Sequence, residues 1–249
     1  MIVAWTILLG LVVGSFLNVV VLRVPTGASV VWPASHCPSC EKAILRRDNL
    51  PLISYALLGG RCRNCEQRIP PRYPLVEGLT GLLFGAAAIR FEGVGQLVLA
   101  LVLISVLIAL AATDLEHRLL PNAIVGPAAV AGFVLSAVAG PLAWWTYVVS
   151  SLAVAGFLFG LAAIYRGGMG MGDVKMGGML GLFLGPYAAL AVFVGALLGT
   201  ILYAALAPFG KLRRTSALPF GTFMAVGGFV ALFAGPQLWV LYLKLLGAG

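Results

Sequence analysis

The sequence predicts an all-α polytopic membrane protein, with about eight transmembrane helices and a cytoplasmic zinc-ribbon-like loop. Two observations carry the membrane assignment and a third carries the loop. The 249-residue chain is 61% hydrophobic and 10% charged, where a soluble domain is about a quarter charged. Its apolar runs are roughly 17 to 22 residues long, enough for helices to cross a bilayer, and they lack the alternation of a barrel strand. All four cysteines fall in one polar stretch between the first two apolar runs.

The spans are expected over 2–22, 75–89, 96–113, 122–139, 146–165, 173–184, 187–208 and 218–234, with 237–246 as an extension or an interfacial segment. The first lacks a basic leader region and reads as a span, not as a removable signal peptide. Asn18 within it is expected to bond another helix, and Glu77 to face a polar cavity or the membrane rim. Trp144 and Trp145 mark a headgroup interface. The 32 glycines favour close helix contacts. No internal repeat is evident, which disfavours an inverted-repeat transporter.

Net charge is +8. The loop between the first two spans holds Arg23, Lys42, Arg46, Arg47, Arg61, Arg63, Arg68 and Arg72. Basic residues in loops between apolar spans mark the cytoplasmic side. Both chain ends then lie outside. Without an Arg–aromatic ladder the charge does not point to nucleic acid, and the partner it implies is the lipid bilayer. Three parts follow: a first span (1–22), a cytoplasmic loop (23–74) and a membrane core (75–249).

The loop contains Cys37-Pro38-Ser39-Cys40 and Cys62-Arg63-Asn64-Cys65. Two Cys-x-x-Cys knuckles at this separation are the pattern of a four-thiolate zinc site. A cytoplasmic loop is reducing, which disfavours disulfides. With no open ligand position the ion has a structural role, folding a loop with little core of its own. His36 reads as a loop residue.

Only three aspartates occur, and Asp114 and Asp173 each sit at the edge of an apolar run. Carboxylates there are costly and mark function by default. Both are expected at the same membrane face. If the two touch, one stays protonated. The ionised one then takes a proton from water, and the other acts as general acid on a carbonyl. The competing reading is a pair of helix caps or topological markers. Gly170 and Gly172 before Asp173 allow backbone to approach a substrate or adopt strained dihedrals. With Lys175 they are the candidate substrate contacts. Lys175 does not lie over Asp173 on a helix and is free to pair elsewhere. Glu116 and His117 are either a solvated face or a relay.

A series of ordered motifs makes the chain resemble the type IV prepilin peptidases, a GxGD family of aspartic proteases. They are the run from Gly14 to Asn18 and on to Pro25, the two knuckles, and the loop runs 48–55 and 68–77. The others are Asp114 to Asn122, Gly170-Met171-Gly172-Asp173-Val174-Lys175, and Leu218-Pro219-Phe220-Gly221. The resemblance implies that Asp114 and Asp173 are the catalytic pair. It implies cleavage of the basic leader of prepilins or pseudopilins, after a glycine at the cytoplasmic edge of the bacterial inner membrane. The intact cysteine loop implies a second activity, N-methylation of the new terminus with S-adenosylmethionine. No glycine-rich fingerprint marks a site for that donor. Two alternatives stand beside it. A presenilin-like GxGD protease has no reason to carry the knuckles, and a transporter or assembly scaffold would favour polar groups near mid-membrane.

Overall fold

The computed structural model describes residues 1–164, 169–207 and 219–245, less the Arg46 side chain. The expected basic residues Arg166, Lys211, Arg213 and Arg214 lie outside the described residues, as do the span limits at Tyr165, Pro208, Leu218 and Leu246. The chain forms two compact units, Met1–Glu92 and Gly93–Gly249.

The first unit is built on α1 (Ile2–Arg23) and α3 (Arg72–Arg90), with a 3₁₀ turn at Arg46–Asn49 and the short α2 (Ile53–Leu57) between them. Glycines fix the α1–α3 contact. A Cβ on Gly10 would meet Gly81 Cα at 2.8 Å, one on Gly14 would meet Glu77 Cα at 2.7 Å, and one on Gly85 would meet Ile7 Cγ1 at 2.7 Å. Partner numbers fall as α1 numbers rise, so the helices are antiparallel. Gly10 faces Gly81, while Gly14 lies against Glu77 and Thr80 and Gly85 against Ile7; the small-xxx-small spacing on each helix lets backbones touch where lipid supplies no hydrophobic drive. Asn18 Nδ2 donates to the Tyr73 carbonyl at 3.2 Å, the interhelical bond expected of it. Glu77 turns its Oε2 to the Leu52 amide at 2.9 Å and so ties the loop to α3.

The second unit contains α4 (Val94–His117), α5 (Asn122–Ala139), α6 (Trp144–Ile164), α7 (Met171–Leu184), α8 (Ala188–Leu206) and α9 (Phe220–Leu245). Arg118, in the left-handed region at φ 52°, ends α4. Pro121 precedes the first residue of α5. α7 has only 14 residues, about 21 Å of helix, yet nine of them are buried. That burial makes it a central element. A Cβ on Gly181 would lie 2.4 Å from Ser151 Cα of α6, and one on Gly132 of α5 would lie 2.6 Å from the Phe183 ring. On α9, Gly228 faces Leu107 of α4 and Leu180 of α7.

Register gives the directions. Gly95 meets Ala139, so α4 and α5 are antiparallel. Asn122 pairs with Lys175, and Gly132 with Phe183, so α5 and α7 run parallel. Asp114 pairs with Thr222 and Leu107 with Gly228, so α4 and α9 are antiparallel. Gly195 meets Met224 and Gly227 meets Ala191, which sets α8 against α9. The chain therefore reverses between α7 and α8, at the 3₁₀ turn Gly185–Tyr187, where Gly185 takes φ +57°. One end of the bundle thus gathers the C-terminus of α4 and the N-termini of α5, α7 and α9.

The fold class is the expected one, and each of the eight expected spans corresponds to a helix. Among the described residues six stretches are long and apolar enough to cross a membrane. The number is lower for two physical reasons. α7, at 14 residues, is shorter than a full span, and it continues with α8 as one apolar stretch, Met171–Leu206. The first turns of α3 carry Arg72, Tyr73 and Glu77, and α3 is not among the six. Of the two expectations for 237–246 the extension holds: α9 continues past residue 234 through Pro236 to Leu245.

Candidate active site

Asp114 lies one turn before the end of α4 and is buried. A helix C-terminus is a poor place for a carboxylate, because its orphan carbonyls already carry partial negative charge. The first turn of α9 offsets this. The Thr222 backbone amide donates to Asp114 Oδ2 at 2.9 Å, and the Thr222 hydroxyl lies 3.2 Å from the same oxygen. Thr222 is the third residue of α9, and its N–H, shared with the Pro219 carbonyl at 3.2 Å, points out of that helix start. Gly221 makes the approach possible, since a Cβ there would sit 3.0 Å from Asp114 Oδ2.

Asp173 occupies the equivalent third position of α7. Its Oδ2 accepts the Gly170 amide at 3.2 Å, while the Asp173 amide donates back to the Gly170 carbonyl at 3.0 Å. Each aspartate is therefore held through Oδ2 by backbone at a helix N-terminus. The two helix starts are neighbours, since Leu120 meets both Gly172, beside Asp173, and Gly221, beside Asp114 Oδ2. No hydrogen bond joins the two carboxylates among the described residues.

The glycines act differently from the expectation of strained backbone. Gly170 caps α7 at φ −79°, and Gly172, already inside the helix, takes no left-handed φ. A helix start needs neither glycine in a strained region. Gly172 instead makes room for Leu120, whose Cβ would lie 3.0 Å from an added Cβ. Leu120 also packs on Gly221, so it fills the space between the starts of α7 and α9. Lys175 donates to Asn122 Oδ1 at 2.9 Å, at the edge of a cavity of about 310 Å³ between α5, α6 and α7. His117 and Glu116 pair at 3.8 Å on a partly exposed face. Thr222 and Leu120 were not singled out from sequence. The available signal for Thr222 was the Pro219-Phe220-Gly221 lead into an apolar run, a helix start with a glycine at its second position.

The four thiols gather in the first unit. Sγ atoms of Cys37, Cys40, Cys62 and Cys65 all lie within 4.8 Å of one another. Cys37 and Cys65 are 3.8 Å apart. Tetrahedral zinc with thiolates at about 2.3 Å needs sulfurs about 3.8 Å apart, so the set fits the ion. The two knuckles repeat each other at a 25-residue offset (62 minus 37). Cys37 and Cys62 donate their amides to Lys42 and Gln67, and Glu41 and Glu66 both take left-handed φ, 57° and 58°. His36–Ala43 and Arg61–Arg68 close matching bridges. Amides of Cys40 and Ser39 pull the Cys37 thiol down to about 6. Those of Asn64 and Cys65 lower Cys62 in the same way. The Gln67 amide also favours the Cys65 thiolate, but burial and the neighbouring thiols outweigh it and push Cys65 up to about 12. Four sulfurs this close cannot all ionise without a cation among them. His36 is outside the cluster and its Nδ1 lies 3.2 Å from the Ala34 carbonyl.

Fold and site together define a multi-pass helical membrane protein with two aspartates at one end of its bundle and a separate four-thiol centre. Residues 8–91 match the family described as the bacterial peptidase A24 N-terminal domain, and residues 101–208 match the type IV leader peptidase family. The chain is 36% identical to the prepilin leader peptidase/N-methyltransferase of Bacillus subtilis, over 95% of this chain and 96% of that one. It is 34% identical to the protein of the same name from Pseudomonas aeruginosa, over 97% and 93% of the two chains. The type 4 prepilin-like proteins leader peptide-processing enzyme of Escherichia coli is also 34% identical, over 90% and 91%. No solved structure matches. The chain belongs to the type IV leader peptidase family.

Proposed function

We propose that this chain is an aspartic endopeptidase of the bacterial inner membrane that removes the leader of type IV prepilins or pseudopilins, with Asp114 and Asp173 as its catalytic pair. One observation carries the reading. Two otherwise costly carboxylates are each held by one oxygen at a helix start, and Leu120 packs against the glycine beside each of them, Gly221 and Gly172. In the reaction the ionised carboxylate takes a proton from water as it attacks the scissile carbonyl. The other protonates the carbonyl oxygen; the first then gives the proton it took from water to the leaving amine as the C–N bond breaks, and the second takes its proton back as the carbonyl re-forms. The basic charge of the first loop supports a cytoplasmic setting for the cut site. The basic leader then stays in water while an apolar segment of the substrate lodges among the helices. Gly170, Gly172 and Lys175 border the path as substrate contacts.

The names of the relatives add N-methylation of the freed terminus. S-adenosylmethionine would supply the methyl group. Among the described residues no glycine-rich strand-to-helix turn cradles such a donor, and no residue set is assigned to it. Cys37, Cys40, Cys62 and Cys65 hold zinc as a structural ion. The loop they fold is tied to α3 through Glu77.

The test is cleavage of a purified prepilin by the protein in detergent or liposomes, read by mass spectrometry. Asp114→Asn and Asp173→Asn are each expected to abolish cleavage while folding normally. Cleavage retained by either variant would remove the paired-carboxylate mechanism.

A further inference from the structure

The Thr222 hydroxyl stands between two acceptors. Its oxygen is 3.2 Å from Asp114 Oδ2 and 3.2 Å from the Ala111 carbonyl, one turn earlier on α4. It has one proton to give. Facing an ionised Asp114, it donates to Oδ2. Facing a protonated one, it rotates its proton to Ala111 and accepts from the carboxyl through a lone pair. The Thr222 amide bonds Oδ2 throughout and limits rotation of the carboxylate, whose torsion is otherwise broad. Neither Thr222 bond involves Oδ1.

We infer that Thr222 is a positioning residue for peptide cleavage, gripping Asp114 Oδ2 in both protonation states and reserving Oδ1 for the water. Position 222 lies beyond the residues matched by either family description. The inference rests on the reading of Asp114 as one of the catalytic pair. A general base must hold its water in line with the scissile carbonyl, and a carboxylate free to turn would lose that alignment. Pinning one oxygen twice solves this without placing a further charge in the site. Gly221 is part of the same device, because only its missing side chain lets the turn come this close.

Three substitutions separate the parts. Thr222→Val keeps shape and amide but loses the hydroxyl. Thr222→Ser restores the hydroxyl. Thr222→Pro removes the amide donor, and with it the bond to the Pro219 carbonyl, at a first-turn position that tolerates proline better than a helix interior. Cleavage of a purified prepilin is measured with wild type, these variants and Asp114→Asn, each checked by thermal unfolding in detergent. Thr222→Val is expected to lower kcat by roughly 10- to 100-fold, with KM within about two-fold. Thr222→Ser should recover most of that rate, and Thr222→Pro should fall below Thr222→Val. If Asp114→Asn abolishes cleavage but Thr222→Val retains wild-type kcat, the inference fails alone. It also fails if Thr222→Val lowers the unfolding midpoint and Thr222→Ser does not restore the rate, since the residue is then structural. Cleavage by Asp114→Asn would overturn the carboxylate reading and this inference with it.

Discussion

The Leu52 amide donates to Glu77 Oε2 at 2.9 Å, and Leu52 makes that bond from φ 60°, ψ −45°, at the centre of a γ-turn closed by the Ile53 amide on the Pro51 carbonyl. A non-glycine residue held in so strained a turn costs about 1–3 kcal/mol. Glu77 is buried on α3, and its carboxylate draws the amide inward at the start of α2. The strained leucine and the buried acid therefore depend on each other. Glu77→Gln keeps a carbonyl acceptor and should leave the unit near wild-type stability. Glu77→Leu strands the amide and should cost about 1–3 kcal/mol. Thermal unfolding in detergent, with limited proteolysis of the loop, measures both; equal effects from the two variants would contradict the bond's role.

The thiol cluster makes a separate prediction. Purified protein should hold one zinc per chain, and Cys62→Ser should lower that content and expose the loop to protease. A strong chelator should have the same effect on wild type, since metal binding and folding of such a loop are coupled. Metal analysis by mass spectrometry settles the first part. Absence of zinc from protein purified without chelator would end the zinc reading, and the left-handed Glu41 and Glu66 would then need another cause.

Asp48 and Arg63 give a pH dependence. Arg63 donates to the two Asp48 oxygens at 2.6 and 2.8 Å, from within the second knuckle to the 3₁₀ turn. The hydrogen bond from Arg63 holds the Asp48 carboxyl below the usual carboxylate range. A carboxyl lowered in the folded state contributes stability above its unfolded value, about 3.9, and loses it as pH falls through the folded value. Asp48→Asn should therefore lower the unfolding midpoint at pH 7. The gap from wild type should close as pH drops from about 5 towards 3. A gap that stays constant with pH would show that the ion pair is not its source.

Much of this molecule is legible in its sequence because lipid leaves the backbone few options. α5 runs from Asn122 to Ala139 as the apolar pattern indicates, and Gly185-Pro186 marks the reversal between α7 and α8. Asn18 bonds α3 because a polar side chain within a span needs a partner. Four cysteines in two knuckles announce their own cluster. Thr222 was not legible, because its partner lies 108 residues away and a threonine near a helix start has an ordinary local use. Leu120 looked like one more apolar residue, and only the packing shows it lodged against Gly172 and Gly221. The repeat of the knuckles was present in Cys-x-x-Cys-Glu but became visible through the matching backbone of Glu41 and Glu66.

The order of the clamp along the chain bears on how the protein is made. Asp114 and Asp173 reach the bilayer with α4 and α7, while Thr222 comes with α9, synthesised some fifty residues after Asp173 (222 minus 173 is 49). A nascent chain therefore carries both acids before it carries the turn that steadies one of them. The grip on Asp114 Oδ2 is thus closed only when the last helix is made, which ties the finished geometry of that carboxylate to the order of insertion.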